Sequence, residues 1–345
     1  MLRAGMNPLR EKLQRLARLL LEPGKPAYSL RPVVLELGRI LANLPTIRPA
    51  CNEDIARGET QTSHGLALSP TMAAMCMDDY VRTIEFVRGA HAAIIDLRKQ
   101  FPARSLRFLY AGCGPNAILA LPLMAMFPSD EVNFTLLDIH PDSIQSAKTV
   151  IKALELDRGM ARFEVVDATS YRINPELPPD VILVETMRGA LEAEPQVAIT
   201  RHLFQQCPGA VLLPEEVRVD LVLVNPSKEF DLESQSSPQR DRIPLGPVFV
   251  LNRESLKSWE ADCGTLLPGL SVRLPDPLES RFEPMLLMTV RVYRNHILKD
   301  YDSGLTCPRR PQIEGRFKSG DHIQFRYELG NRPRLVGKGR DSIGP

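Results

Sequence analysis

Glu185 and Glu194 stand nine residues apart in the stretch VETMRGALEAE, with Met187, Gly189 and Leu191 between them. A loop that doubles back would bring both carboxylates to one point. Two carboxylates facing one site repel unless a cation lies between them, so the pair suits a guanidinium or ammonium ligand. The same stretch also reads as two exposed glutamates in an acidic loop, with Glu192 as a third, and spacing alone does not choose. Metal chemistry has no such pattern. The six cysteines are scattered without a CxxC pair, and the six histidines are dispersed. Neither a metal site nor a disulfide framework is expected, which fits a reducing, cytoplasmic setting.

A second group of residues lies upstream, in LYAGCGPNAILALP (Leu109–Pro122). Gly112, Gly114, Pro115 and Asn116 interrupt two apolar runs. A glycine turn after a strand lets the backbone approach a ligand, and a following helix would offer free N–H groups. GCGPNA also fits G-x-G-x-x-A, a form used for dinucleotides. The next apolar run ends at Asp138, where a carboxylate can accept both hydroxyls of a ribose. A third ends at Asp167, followed by Ala168, where an acid can accept from an adenine amino group. These strand tips, in order, suit an adenosine ligand, although Asp138 also reads as a helix cap and Asp167 as a strand end. NAD and S-adenosylmethionine both carry adenosine. The second also carries a carboxylate that needs a cation. Arg82, in DDYVRTIEF, reads by spacing as a surface charge, but its forked guanidinium matches a carboxylate if it turns inward.

These residues need elements to position them. Residues 1–100 read as a mostly helical N-terminal region. Leu13, Leu16, Leu19 and Leu20 form one face of an amphipathic helix, and Met72–Gln100 is the clearest helical stretch. Residues 101–216 alternate strand and helix. LRFLYA, VNFTLLD, RFEVVD and DVILVE are near-continuously apolar, which implies a parallel, Rossmann-like α/β sheet covered on both faces. Residues 217–345 carry alternating, β-branched runs and read as a β-rich, barrel-like and antiparallel C-terminal domain. Asn225–Pro247 is polar and reads as an exposed loop.

Composition bounds the partners. The chain has 345 residues, 25% of them charged, and a net charge of +1, so bulk electrostatic binding of nucleic acid is not expected. No apolar run approaches the roughly 18 residues of a membrane helix, and the N-terminus lacks a separate apolar signal core.

The stretch from about Met75 to Asn225 resembles the protein arginine methyltransferase family of class I S-adenosylmethionine enzymes. DDYVRT resembles the segment whose arginine holds the methionine carboxylate, a role the resemblance gives to Arg82. AGCGPN resembles the glycine motif, which carries to Gly112 and Gly114 with Asn116 at the third small position. LLDIHPDS resembles the ribose-binding strand end, carried to Asp138. VETMRGALEAE resembles the double-glutamate loop, carried to Glu185 and Glu194 as catalytic residues. CPGAVLLPEEVRVDLVLV resembles the entry into the family's β-barrel. Tyr110 stands where an acid usually opens the glycine motif. The threonine-histidine-tryptophan loop has no counterpart, the single tryptophan being Trp259.

The resemblance implies S-adenosyl-L-methionine as cofactor, methylation of a cationic nitrogen, and a homodimer. The missing barrel loop favours a small guanidino or amine acceptor over a protein arginine. The alternatives are a scaffold or sensor that binds the cofactor without turnover, transfer of the aminocarboxypropyl arm, and an NAD-dependent oxidoreductase.

Overall fold

The computed structural model describes residues 7–44, 46–47, 54–157, 161–231, 240–259 and 264–339; Cys51 and Cys263 lie outside them. Two helices open the chain, α1 (Pro8–Leu20) and α2 (Arg31–Ala42). Helix α1 starts with Asn7 accepting from Leu9 N–H and with Pro8 at its first turn. It buries Leu13, Leu16, Ala17 and Leu20, so Ala17 rather than Leu19 completes the apolar face.

The N-terminal region departs from an all-helical reading at two places. Thr60–Thr62 (β1) and Gly65–Ala67 (β2) form an antiparallel hairpin around Ser63 and His64. Its three-residue strands are too short to carry an apolar period. The stretch 72–100 also breaks. Pro70–Met75 (α3) ends in a 3₁₀ turn over Cys76–Asp78, and Tyr80–Gln100 (α4) begins afresh. Asp79 imposes the break by capping α4, its side chain accepting from Arg82 N–H.

Five parallel strands form the central sheet: β3 (Leu106–Ala111), β4 (Val132–Asp138), β5 (Ala161–Val165), β6 (Val181–Val184) and β7 (Val211–Leu213). Their order is β5-β4-β3-β6-β7. The direction of winding reverses between β3 and β6, and the carboxyl ends of such strands are where α/β sheets hold ligands. Three helices complete this part: α5 (Leu121–Met126), α6 (Pro141–Ala153) and α7 (Gln196–Gln206). On one half of the sheet the cover is not helical. An irregular segment joins β5 to β6, and its Tyr171 and Ile173 pack against the core, lining a cleft together with Arg107, Asn133, Thr135, Arg162 and Glu164.

Eight strands follow, β8 (Glu216–Val224), β9 (Arg242–Asn252), β10 (Leu266–Arg273), β11 (Glu283–Tyr293), β12 (His296–Leu298), β13 (Gln312–Glu314), β14 (His322–Glu328) and β15 (Arg334–Lys338). They form two sheets, β12-β11-β8-β9 and β10-β14-β15-β13. All pairings are antiparallel except that of β13 with β15. Strand β9 begins inside the stretch read as a loop; Ile243 and Leu245 pack on the core, and Pro244 and Pro247 sit where its register slips against β8. Residues 232–239 of that stretch lie outside the described residues. Phe249 of β9 stacks on Tyr327 of β14 at 4.9 Å and on Trp259 at 5.7 Å, joining the two sheets. Helix α4 ties both halves together. It packs on the parallel sheet, while Asp96 accepts from the Tyr293 hydroxyl at 3.2 Å. Among the described residues no helix is long and apolar enough to cross a membrane.

Phe249 is 1% exposed. Phe249→Ala is therefore expected to cost about 3–5 kcal/mol, lowering the urea midpoint. The emission of Trp259, the single tryptophan, reports the transition.

Candidate functional site

A cleft of about 890 Å³, partly open to solvent, lies at the carboxyl ends of β3, β4, β5 and β6. Its lining brings together Arg82, Gly112, Gly114, Asp138, Asp167, Ala168, Glu185 and Glu194. Asn116 does not line it; it is buried beside the glycine turn, and its Oδ1 has no hydrogen-bond partner.

Arg82 turns inward. It is 5% exposed, and its Nη1 donates to Glu185 Oε1 at 3.0 Å. Its Nη2 donates to the Cys76 carbonyl at 2.9 Å, a group that the break before α4 presents toward it. Its Nε is buried without a partner. Burial works against the guanidinium charge, but Glu185 and the other groups around it hold its pKa above the usual value.

The glycine turn and the acid of β4 form one unit. Gly114 N–H donates to Asp138 Oδ2 and His140 N–H to Asp138 Oδ1, both at 2.9 Å. Each oxygen keeps a lone pair for a ligand hydroxyl. Gly112 has φ +78, and a Cβ there would come within 2.4 Å of Thr186 Cγ2, so only glycine fits between β3 and the loop after β6. The helix expected directly after the turn is absent. The chain winds through successive turns to Leu121, where α5 begins, and Pro115 and Pro122 supply no N–H. The glycine turn is therefore not followed directly by a helix N-terminus. Asp167 accepts from the backbone N–H and hydroxyl of Thr169 through its Oδ1.

Glu185 and Glu194 flank a loop that crosses the cleft edge. The Glu185 side chain is 7% exposed, and Glu194 is 6% exposed. Ala190, Leu191 and Ala193 take left-handed backbone, which doubles the chain back. Gln196 braces the loop, its Oε1 accepting from Thr186 N–H and its Nε2 donating to Val184 O. Burial raises both glutamates, and Arg82 counters it at Glu185. Glu194 makes no ion pair among the described residues. Burial, with the Glu185 charge added, pushes it up to about 8.

Some lining residues gave no sequence signal. The hairpin β1–β2 roofs the cleft through Thr62, Leu66 and Ala67. Leu66 N–H donates to Ala193 O at 2.8 Å, and Thr60 Oγ1 pairs with His140 Nε2 at 3.0 Å. A Cβ on Gly65 would meet Ala193 O at 2.7 Å, so the hairpin sits directly on the glutamate loop. Tyr110 also lines the cleft, and burial holds its phenol well above the usual pKa. Among the described residues no group of His, Cys, Asp or Glu is arranged to hold a metal ion.

No protein-family model matches the chain, and no curated protein matches it in sequence. Among solved structures it is similar to Trypanosoma brucei PRMT1, in an enzyme–prozyme heterotetrameric complex with AdoHcy. The TM-score is 0.48, with 12% sequence identity, over 74% of this chain and 87% of that one.

Glu194 has a pKa near 8 in the folded chain against 4.5 as its ordinary value. The fold thus favours the protonated form. Its contribution to stability is complete below about pH 4.5 and is lost as pH rises through 8. The thermal midpoint of the ligand-free protein is expected to fall across that window, and less steeply in Glu194→Gln. Equal slopes for the two proteins would show that Glu194 titrates normally.

Proposed function

We propose that this chain is an S-adenosylmethionine-dependent N-methyltransferase acting on a small guanidino or amine compound. The reading rests above all on one observation: a buried arginine and two buried carboxylates share a cleft with a ribose-type acid and a glycine turn. The cleft residues fit the cofactor. Arg82 keeps a buried, unpartnered Nε, suited to the cofactor carboxylate. Asp138 keeps free lone pairs for the ribose, and Gly112 leaves the backbone open to close approach. Asp167 and Ala168 border the adenine end. Bound there, the cofactor supplies an electrophilic methyl group.

The chain's own residues do the rest. Glu185 and Glu194 hold the cationic acceptor and orient one nitrogen, which is catalysis by alignment and electrostatics. A guanidinium has a pKa above about 12, so neither glutamate deprotonates it beforehand. The carboxylates draw positive charge onto the nitrogens that are not methylated. Glu194 ionises as the cation arrives. As a carboxylate beside the acceptor, it can then take the proton shed by the substituted nitrogen.

The hairpin seated on the glutamate loop favours a small acceptor over a polypeptide, since it roofs the Glu194 side of the cleft. An NAD enzyme is disfavoured because the turn lacks the helix N-terminus that a pyrophosphate uses. The second reading is a cofactor-binding protein without turnover, favoured by the buried phenol of Tyr110 beside Glu185.

S-adenosylhomocysteine is expected to bind by calorimetry, and label from methyl-labelled S-adenosylmethionine to pass to a guanidino or amine metabolite. Binding without transfer supports the second reading; absence of binding rejects both. Glu185→Gln is expected to cut transfer by roughly a hundredfold or more and to change cofactor affinity little. Arg82→Ala is expected to weaken the intact cofactor far more than adenosine. Equal weakening of the two would make Arg82 a structural residue.

A further inference from the structure

We propose that the acceptor is a short guanidino acid, a zwitterion whose guanidinium lies between Glu185 and Glu194 and whose carboxylate reaches Arg188 and Arg309 at the rim of the cleft. The inference rests on the methyltransferase reading and names the substrate class of the same site.

The glutamate loop carries a cation between its two acids. Arg188 follows Met187, which lines the cleft, and is itself exposed. It stands near enough to Glu194 and Glu192 to favour the ionised form of each. Arg309 comes from a distant stretch. Its N–H donates to Leu286 O of β11 at 2.9 Å, and its carbonyl accepts from Leu286 N–H at 2.7 Å. With its backbone pinned there, its side chain runs across Gly189. A Cβ on that glycine would meet Arg309 Nε at 2.8 Å and Cγ at 3.4 Å. Glycine at 189 thus leaves the space in which a second guanidinium group lies against the loop.

Neither arginine is spent. Among the described residues, neither side chain makes a hydrogen bond or an ion pair. The acids nearby do not claim them. Glu192 is half-buried, and burial pushes its carboxyl toward the neutral form. Glu59 adds its charge near Glu194 from the segment before β1. Neither arginine lines the cleft itself, so the cofactor carboxylate is left to Arg82. The charge pattern then selects the acceptor. A guanidinium, with its planar set of N–H donors, serves two carboxylates at once. At the rim a second cation is repelled, and a neutral tail leaves the arginines to water. A carboxylate there gains charge-assisted hydrogen bonds. An arginine inside a polypeptide offers only neutral amides at that remove, so the same rim favours a free acid over a protein.

The test uses 4-guanidinobutyrate, 5-guanidinovalerate and the carboxamide of each, which has the same length and guanidinium but no negative charge. Their affinities are measured by calorimetry on the full chain with saturating S-adenosylhomocysteine. At least one acid is expected to bind about tenfold more tightly than its amide, the scale of one hydrogen bond to a charged group. Arg188→Gln and Arg309→Gln keep the aliphatic stems and remove the charge. Each is expected to weaken the acid and leave the amide unchanged. An effect that travels through Glu194 instead would weaken acid and amide alike. Acids that bind no better than their amides, a preference that survives both substitutions, or equal weakening of acid and amide would overturn the zwitterion and leave the methyltransferase reading intact. So would failure of all four compounds to bind beside bound S-adenosylhomocysteine. Failure of S-adenosylhomocysteine itself to bind would overturn both.

Discussion

The ion pair between Arg82 and Glu185 is the constraint around which the cleft is built. It joins the first turn of α4 to the residue after β6 across 103 positions of chain. Taking both ions from water costs more than a simple contact returns, unless the remaining donors and acceptors are also met. Here they are met in part. The Cys76 carbonyl takes one N–H, and Asp79 holds the start of α4 in place. Asp79 in turn accepts from the Ser303 hydroxyl at 2.6 Å and from Gly304 N–H at 3.0 Å. The partnerless Nε is the residue of that account, and a buried donor left without a partner points to a ligand more than to stability.

The other end of the cleft works by a different rule. The glycine turn has no helix behind it to supply a positive end, so it offers shape and not charge. Its N–H at Gly114 is already satisfied by Asp138. The polarity of this end therefore comes from Asp138, held by two backbone donors with both oxygens still able to accept, and from Asp167 beside it. Such an end suits a neutral diol and repels a pyrophosphate. The charge that a zwitterionic ligand needs is supplied elsewhere, by Arg82. The two ends thus divide the work of recognition between a hydrogen-bonding surface and an ionic one.

The parts legible in the sequence were those with a strong local pattern. The apolar strands ending at Ala111, Asp138 and Val184 read clearly because a buried parallel strand is a short apolar run. The spacing of Glu185 and Glu194 was legible as a pattern; their burial was not, because it depends on segments far away in the chain. By spacing alone Arg82 read as a surface charge for the same reason, and only the resemblance turned it inward. The hairpin at Thr60–Ala67 was missed because strands of three residues are too short to show a periodicity. Asn116 took its place from a motif position, and the turns before α5 carry it off the lining.

The loop that carries both glutamates shows why the C-terminal sheets belong to the site. Ala190, Leu191 and Ala193 have φ of 58°, 59° and 66°, and each such non-glycine residue costs of order 1 kcal/mol. The loop is too strained to hold this shape by itself. Two bonds from the C-terminal part offset the cost. The buried Tyr327 hydroxyl donates to Leu191 O at 2.7 Å, and Ala193 N–H donates to Pro333 O at 2.8 Å. Tyr327 is itself fixed by its stack on Phe249 between the two sheets. The hairpin adds a third hold through Leu66 at the same alanine. The pair of carboxyl groups is thus positioned by three separate stretches of chain, none of which contributes a carboxyl group to it, and the β-rich half keeps close two groups that would otherwise drift apart.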